Sequence, residues 1–228
     1  MTLDAKHQNV VIYGNAASAS LIRYWLDCDS HYRVVGFCVD AVYRTEISFE
    51  GLPLVASDEI ENVFPPSRFH LIIPLGNHSI NGIRREKFEE FRRRGYSYAR
   101  YVSSRSTVWE GCRVGENVII YEGAVIQPFT TIGENCIIRS NVVVAHHSRV
   151  ADHVFLANGV VTGGKCTIQE QVFAGLGSII IDNINIAPRT FIGAGSVVIK
   201  STDPDGVYVG NPARRLENKT ALSVTGGE

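Results

Sequence analysis

From Val108 to Val198 an aliphatic or small residue recurs at every sixth position, without one insertion. This aliphatic track is Val108, Val114, Ile120, Ile126, Ile132, Ile138, Val144, Val150, Leu156, Thr162, Ile168, Ala174, Ile180, Ile186, Ile192 and Val198. A period of six fits neither an α-helix, at about 3.6 residues per turn, nor a single strand, at about two. A fixed short period instead indicates a repeat, in which each unit buries its apolar face by stacking on its neighbours.

A second track, mostly of small residues, lies two positions before the first. Its members include Cys112, Ala124, Thr130, Cys136, Ser148, Val160, Cys166, Ser178, Thr190 and Ser196. Three six-residue edges that close a triangular coil satisfy both tracks, because the aliphatic residue fills a corner of the prism and the small residue fits the turn. The pattern therefore predicts a left-handed parallel β-helix over residues 104–200, with one coil every eighteen residues.

Residues 1–103 have a different pattern. Predicted strands are Asn9–Tyr13, Tyr32–Val39, Phe69–Leu75 and Tyr96–Val102, and predicted helices are Ala16–Asp27 and Ser79–Arg94. Alternation of strands and helices predicts a small α/β domain with a parallel, Rossmann-like sheet. In the second helix we expect an inner face of Ile80, Ile83, Phe88 and Phe91 and a solvated charged outer face. Residues 201–228 are predicted as a C-terminal loop and a frayed tail.

Ligands of parallel sheets bind at the carboxyl ends of the strands. The residues predicted there are Gly14, Ala16, Ala17, Ser18, Asp40, Gly76, Asn77 and Ser79. Only the first glycine of a dinucleotide-binding GxGxxG loop is present, at Gly14, so the loop does not predict an NAD site. A smaller nucleotide can still use the backbone N–H groups where the following helix starts.

Composition narrows the choice of partners and location. With 22 basic and 23 acidic residues, the chain has no charge excess to favour nucleic acid or an anionic membrane surface. No apolar run approaches the roughly 18 residues of a membrane span, and the N-terminus lacks a signal-peptide pattern, so we expect a cytoplasmic protein. The chain has five cysteines and no CxxC pair, and the three on the small-residue track, Cys112, Cys136 and Cys166, are interpreted as reduced packing residues and not as disulfides or zinc ligands.

His146 and His147 lie off the aliphatic track, so the core does not need them. One coil after His146 comes Gly164, beside Gly163, which leaves room for a ligand near the backbone. A neutral imidazole accepts a proton near pH 7, and the Gly164 N–H is placed to donate to a developing oxyanion. The alternative is that His146 is only an exposed polar residue on a coil face. A zinc site with His153 is not predicted, because no histidine lies between His78 and His146.

Several segments together resemble a known family. They are VVIYGNAASASL, VVGFCVD and IIPLGNHSI, the hexapeptide run, and the terminal GAGSVVIKSTDPDGVYVGNPARR. The chain resembles the hexapeptide acyltransferases of nucleotide-linked amino sugars, among them the bacillosamine-pathway and perosamine N-acetyltransferases and the sialic-acid O-acetyltransferase-like proteins. The resemblance implies acetyl-CoA-dependent N-acetylation of a nucleotide-linked amino sugar, of the 4-amino-4,6-dideoxy type, in surface-polysaccharide or glycan biosynthesis. It also implies a homotrimer with active sites between subunits.

The resemblance also implies residue roles. His146, in Val144–Val150, becomes the general base, and the Gly164 N–H faces the thioester carbonyl. The residues implied to bind acetyl-CoA are Phe155, Gly163, Gly164, Leu176, Ala194, Gly210 and Pro212. His147 joins the strand-end residues named above in binding the sugar nucleotide.

The chain departs from the family at three places. His147 stands where the family has Asp or Glu, Phe155 replaces a second histidine, and Ala17-Ser18-Ala19 replaces a Gly-His-Gly loop. Two alternatives therefore stay open. One is O-acetylation of a sugar hydroxyl by the same fold, and the other is a non-catalytic β-helix scaffold or binding module.

Overall fold

The computed structural model describes residues 8–225, which begin with an α/β domain. Its strands are β1 (Gln8–Tyr13), β2 (Tyr32–Val39), β3 (Ser48–Phe49), β4 (Leu52–Ala56) and β5 (His70–Ile72). Its helices are α1 (Ala17–Asp29), α2 (Ile60–Val63) and α3 (Gly82–Arg93), with a 3-10 turn at Ala41–Tyr43. The sheet order is β3-β4-β2-β1-β5, parallel except for the β3–β4 hairpin, which the sequence reasoning missed. The predicted parallel sheet is thus confirmed.

Short strands then coil into a three-sided β-helix. They are β6 (Tyr101–Val102), β7 (Thr107–Val108), β8 (Arg113–Val114), β9 (Ile119–Ile120), β10 (Val125–Ile126), β11 (Thr131–Ile132), β12 (Ile137–Ile138), β13 (Val143–Val144), β14 (Arg149–Val150), β15 (Phe155–Leu156), β16 (Val161–Thr162), β17 (Thr167–Ile168), β18 (Phe173–Ala174), β19 (Ile179–Ile180), β20 (Asn185–Ile186), β21 (Phe191–Ile192) and β22 (Val197–Val198). After them come β23 (Gly206–Val209), β24 (Arg214–Thr220) and α4 (Ala221–Thr225).

Every third strand belongs to the same sheet. Face 1 is β7-β10-β13-β16-β19-β22, face 2 is β8-β11-β14-β17-β20, and face 3 is β6-β9-β12-β15-β18-β21-β23-β24. Corner A follows face 1, corner B follows face 2 and corner C follows face 3. Parallel partners are eighteen residues apart, as Val125 and Val143 are, so the predicted coil length is confirmed.

The core of the β-helix is built from the two predicted tracks. Each aliphatic-track residue is the second residue of a strand, and from Ile120 onward all of them are buried. Cys136 and Cys166 are buried and free, which confirms their interpretation as packing residues.

A third track, which the sequence reasoning missed, lies three positions after the aliphatic one. At each turn this residue has a positive φ, as in Gly111, Asn117, Gly123, Phe129, Asn135, Asn141, His147, His153, Gly159, Lys165, Gln171, Gly177, Asn183, Arg189 and Gly195. Asparagine and glycine are the residues that tolerate this left-handed conformation best, which explains why they dominate the track.

The segment predicted as a strand over Tyr96–Val102 is shared between the two domains. Tyr98 forms a single bridge to Leu71 of β5, while Tyr101–Val102 pairs with β9. Pairing in the β-helix therefore starts before residue 104, where the sequence placed the boundary. Face 3 is then covered by the α/β domain, since Ile119 and Ile137 pack in its hydrophobic core.

Two expectations about polar segments need correction. Helix α3 presents Glu86, Arg92 and Arg93 to solvent as expected, but Ile83, which was expected on the inner face, is 43% exposed, and Arg84 is completely buried against the β-helix. The C-terminal tail was expected to fray, but in its described part Thr225 accepts a hydrogen bond from the Ser79 N–H through its carbonyl at 3.1 Å, while residues 226–228 lie outside the described residues. Both segments join the two domains, and contacts between distant parts of the chain are not visible in a local pattern.

Candidate active site

The turn of corner A brings His146 and Gly164 together, as the eighteen-residue spacing predicted. A Cβ added to Gly164 would lie 2.7 Å from His146 Cε1 and 2.9 Å from Nε2, so the imidazole rests directly against the glycine backbone. The Lys165 N–H donates to the His146 carbonyl at 2.9 Å and keeps the two coils in register. His146 is exposed and faces a shallow groove shared with Asp182 and Asn183.

His147 contacts His146 through a ring nitrogen. The two Nδ1 atoms are 3.0 Å apart, and the rings are nearly perpendicular. On its other side the His147 ring packs against Phe129, with the centroids 4.6 Å apart. The His146 N–H donates to Gln127 Oε1 at 3.0 Å, which fixes the backbone at the base of the pair.

The Gly164 N–H does not point to an open site. It donates to Asp182 Oδ1 at 2.6 Å, which corrects its assignment as the free oxyanion donor. The same contact recurs at Glu134, whose N–H donates to Asp152 Oδ1 at 2.7 Å, so it is a feature of coil stacking. Gly164 contributes space for the imidazole instead.

Gly163 has a packing role of its own. A Cβ there would lie 2.5 Å from the Asp182 backbone nitrogen and 2.6 Å from its Oδ1. Close approach of two backbones therefore accounts for this glycine, and the acetyl-CoA contact assigned to it stays a prediction.

Leu176 and Ala194 lie at corner C, not at the corner of His146, and both are exposed. Gly210 joins this corner, because its N–H donates to Ser196 Oγ at 3.2 Å. Pro212 follows it after a cis peptide bond. Within one chain these predicted acetyl-CoA residues form a group that is separate from His146.

Phe155 lies in neither group. It points out of face 3, where its ring contacts Phe173 at 5.5 Å between centroids and the Arg84 guanidinium at 5.8 Å. With these neighbours and the α/β domain, Phe155 is a partly buried packing residue between the domains, and the acetyl-CoA contact assigned to it stays a prediction.

The strand-end residues predicted to bind the sugar nucleotide meet at one edge of the α/β sheet. Gly14, Asp40 and the Gly76 loop follow β1, β2 and β5, which lie side by side. Ala16, Ala17 and Ser18 are exposed at the start of α1, where no side chain caps the helix. Helix N–H groups without a cap are available to an anion such as a phosphate.

The loop after β5 is partly occupied. The Gly76 carbonyl accepts from Arg84 Nη1 at 2.8 Å, and the Ser79 N–H is used by Thr225. The Asn77 carbonyl accepts a hydrogen bond from the Asn81 N–H at 3.2 Å. Backbone groups of this loop thus support its conformation, and the sugar-nucleotide contacts assigned to it stay a prediction.

Asp40 is held by residues that the sequence reasoning missed. Its carboxylate accepts hydrogen bonds from Lys87 Nζ at 2.8 Å and Ser57 Oγ at 3.0 Å. Burial opposes ionisation, but the accepted hydrogen bonds outweigh it and lower the pKa of Asp40. Burial, followed by a hydrogen bond to Asp40, raises the pKa of Tyr13. The result is an anionic acceptor at the sheet edge, next to the exposed start of α1.

His153 lies at corner B, away from His146. It is 8% exposed, and its Nδ1 is 2.8 Å from Asn135 Nδ2. Burial, followed by the charge of Arg84, lowers the pKa of His153 to about 4. It is therefore a neutral residue of the interface between the domains.

Comparisons with known proteins agree with this architecture. Residues 129–164 match the family model described as "Bacterial transferase hexapeptide (six repeats)". No curated protein matches the chain by sequence. Among residues 8–225 no helix is long and apolar enough to cross a membrane. The cytoplasmic location stays a prediction.

Three solved structures share the fold over nearly the whole chain. The acetyltransferase domain of PglB from Neisseria gonorrhoeae is 21% identical, covering 92% of this chain and 100% of that one, with a TM-score of 0.83. A variant of perosamine N-acetyltransferase from Caulobacter crescentus is 23% identical, covering 96% and 100%, with a TM-score of 0.83. WeeI from Acinetobacter baumannii is 22% identical, covering 91% and 99%, with a TM-score of 0.72. This similarity confirms the α/β domain followed by a left-handed β-helix.

Proposed function

We propose that the protein is an acetyl-CoA-dependent N-acetyltransferase of a nucleotide-linked amino sugar. The observation that carries the proposal is the exposed imidazole of His146, seated on Gly164 in an open groove of the β-helix. Proteins of the same fold support the choice of substrates. The PglB domain is described in complex with acetyl coenzyme A, and the perosamine N-acetyltransferase variant in complex with CoA and GDP-perosamine.

His146 acts as the general base in this proposal. Its Nε2 takes a proton from the acceptor amine while the amine nitrogen forms a bond to the thioester carbonyl carbon. When the carbon–sulfur bond breaks, His146 returns the proton to the departing thiolate. The products are an acetamido sugar and free coenzyme A. No covalent intermediate is needed when both substrates are held in one cleft.

The sites of one chain are divided among three places. His146 is at corner A, Leu176 and Ala194 are at corner C, and the loops after β1, β2 and β5 lie in the α/β domain over face 3. A homotrimer with sites between subunits would let different chains supply these parts. An exposed apolar stripe supports such an assembly, since Val161, Ile179, Ile181 and Ile199 are each 38–43% exposed. Monomeric mass in analytical ultracentrifugation would contradict it.

Replacement of the base tests the proposal. We expect His146→Ala to lower kcat by about two to four orders of magnitude with an unchanged melting temperature. His31→Ala, which replaces an exposed histidine at the amino end of β2, is the matched control and should retain activity. Activity close to the parent in His146→Ala would remove the base assignment.

Two further assays define the substrates. A thermal shift with millimolar acetyl-CoA is expected, because a ligand stabilises the state that it binds. Its absence would favour the scaffold interpretation. Competition between amino- and hydroxy-sugar nucleotides bearing UDP, GDP or dTDP should show transfer to the amine. Preferential transfer to a hydroxyl would instead assign O-acetylation.

A further inference from the structure

The contact between His146 and His147 constrains their protonation. Their Nδ1 atoms are 3.0 Å apart, which is hydrogen-bonding distance. A bond between two ring nitrogens needs one N–H donor and one lone pair, so one of the facing nitrogens carries a proton and the other does not. Two tautomeric arrangements satisfy this condition, and they differ in which nitrogen of His146 is left free.

The surroundings distinguish the two rings. His146 lies on Gly164, with Cε1 and Nε2 as its nearest ring atoms, and the residue lines the groove that a substrate amine can enter. His147 is packed on Phe129 and lies farther from Gly164 along the turn. A base acting through Nε2 must have its lone pair there, so its proton has to be on Nδ1. That proton needs an acceptor, and the atom that faces it is His147 Nδ1.

We propose that His147 is a positioning residue whose Nδ1 accepts the Nδ1–H of His146 and thereby keeps Nε2 of His146 unprotonated and directed to the groove. This role deepens the proposed function and rests on His146 being its base. During transfer His146 becomes an imidazolium and goes on donating to His147, so the bond persists through the step. It also replaces a carboxylate as the orienting group, using a neutral acceptor.

The backbone conformation of the turn supports the assignment, because His147 occupies a left-handed position that histidine rarely adopts. His147 has φ 57° and Phe129, one coil earlier at corner A, has φ 63°. A side chain in this left-handed region costs about 1–2 kcal/mol, which asparagine or glycine avoids in many other turns. At corner A these two strained positions bring the Phe129 ring against the His147 ring, and the His147 ring in turn contacts His146.

The residues found in the other turns indicate which substitutions of His147 the left-handed backbone tolerates without strain. Gly123 and Gly159 occupy the equivalent position elsewhere, as do Asn141 and Asn183. His147→Gly therefore removes the ring without straining the turn, and His147→Asn returns an acceptor oxygen. We expect His147→Gly to lower kcat by about 10- to 100-fold with KM values close to the parent, and His147→Asn to recover most of the loss. Asn141→Gly, the same kind of change at corner C, should leave kcat unchanged.

Kinetics can also overturn the proposal. A rise in KM for the nucleotide sugar in His147→Gly, with kcat retained, would make His147 a substrate contact instead. Equal loss of kcat in His147→Gly and His147→Asn would show that an acceptor is not what the ring provides.

Tautomers give a readout that does not depend on activity. In long-range ¹H–¹⁵N spectra of the full chain with labelled histidine, we expect His146 to be protonated at Nδ1 and His147 at Nε2, with peaks assigned from His146→Ala and His147→Asn. In His147→Gly the Nδ1–H form of His146 should lose its predominance. A native His146 protonated at Nε2 would overturn the inference even if His146 is the base. Conversely, an active His146→Ala would remove the proposed base and leave the observed tautomer as a structural fact.

Discussion

Corners A and B of the β-helix have the same turn geometry but opposite surroundings. At corner B four of the five left-handed residues, Asn117, Asn135, His153 and Gln171, are buried beneath the α/β domain, and the fifth, Arg189, is half-buried. At corner A their counterparts Phe129, His147, Lys165 and Asn183 are exposed. The comparison shows that position in the repeat does not decide what a polar side chain does. The covering domain decides it.

At corner B the polar atoms satisfy one another. Asn117 Nδ2 donates to Asn135 Oδ1 at 2.7 Å, and Asn135 in turn contacts His153. Asn81 reaches the carbonyl of Gln171 from the loop before α3. Such networks specify how two surfaces fit, because every unpaired buried polar group would cost free energy. At corner A the Nδ1 atoms of His146 and His147 face each other at 3.0 Å and both residues are exposed, which leaves Nε2 of His146 available for chemistry.

The largest effect is expected from removing Arg84. It donates to the carbonyls of Leu75 and Gly76 on one side and of Asn135 and His153 on the other. Arg84→Ala leaves these acceptors without a partner and opens a cavity, so we expect a loss of about 3–5 kcal/mol in the free energy of unfolding. Urea denaturation measures it, with exposed Arg93→Ala on the same helix as control. Equal stability of the two variants would show that corner B is not the joint between the domains.

A pH titration should separate the two corners next. Burial and Arg84 lower the pKa of His153 from 6.5 to about 4 in the folded chain. As pH falls through 6.5 the unfolded chain binds a proton that the native chain does not, so stability declines until about pH 4. A shift of this size corresponds to about 3 kcal/mol. Urea midpoints between pH 7 and 4 should therefore fall more steeply in the native chain than in His153→Asn, and parallel curves would contradict the neutral, buried state.

Gly164→Ala tests corner A with an effect on activity. The added methyl would meet His146 ring atoms at 2.7–3.2 Å, and the exposed ring can move aside. A displacement near 1 Å costs about 100-fold in rate, so we expect that loss in kcat with nearly unchanged melting temperature. Gly163→Ala is the contrast, because its methyl meets the Asp182 backbone and should destabilise the fold. A fully active Gly164→Ala variant would show that the packing of the His146 ring on Gly164 is not needed for catalysis.

The sequence predicted the β-helix well because its repeat is local and periodic. The eighteen-residue coil length predicts that Gly164 stacks on His146. The same spacing predicts that Asp182 stacks on Gly164, and Asp182 is the residue that accepts the hydrogen bond from the Gly164 N–H. The repeat alone therefore contains the information that predicts this partner. The left-handed track was visible too, as asparagine and glycine recurring at one position of the repeat.

Corner B was beyond a local pattern. Its contacts join residues far apart in the chain, as Asn81 and Gln171 are, and only the folded α/β domain brings them together. For the same reason the charge pattern of α3 predicts Lys87 to be a solvated residue, although its ammonium group donates a hydrogen bond to Asp40 at the sheet edge. The periodicity of the sequence predicts whether a side chain points into or out of the β-helix, but it does not predict which residues of the α/β domain that side chain contacts.

The smallest change in stability is expected when asparagine replaces a left-handed residue at each of the two corners. Lys165 and Gln171 have φ 57° and 56°. Because asparagine prefers this conformation, Lys165→Asn at exposed corner A should raise the free energy of unfolding by about 0.5–1 kcal/mol. Gln171→Asn gains the same backbone preference but shortens a side chain whose Oε1 accepts from Arg85 at 2.7 Å. We therefore expect it to lower stability by about 1 kcal/mol. Parallel urea denaturation of the two variants measures the difference, and changes of equal sign would mean that the turn itself, and not its cover, sets the stability at both corners.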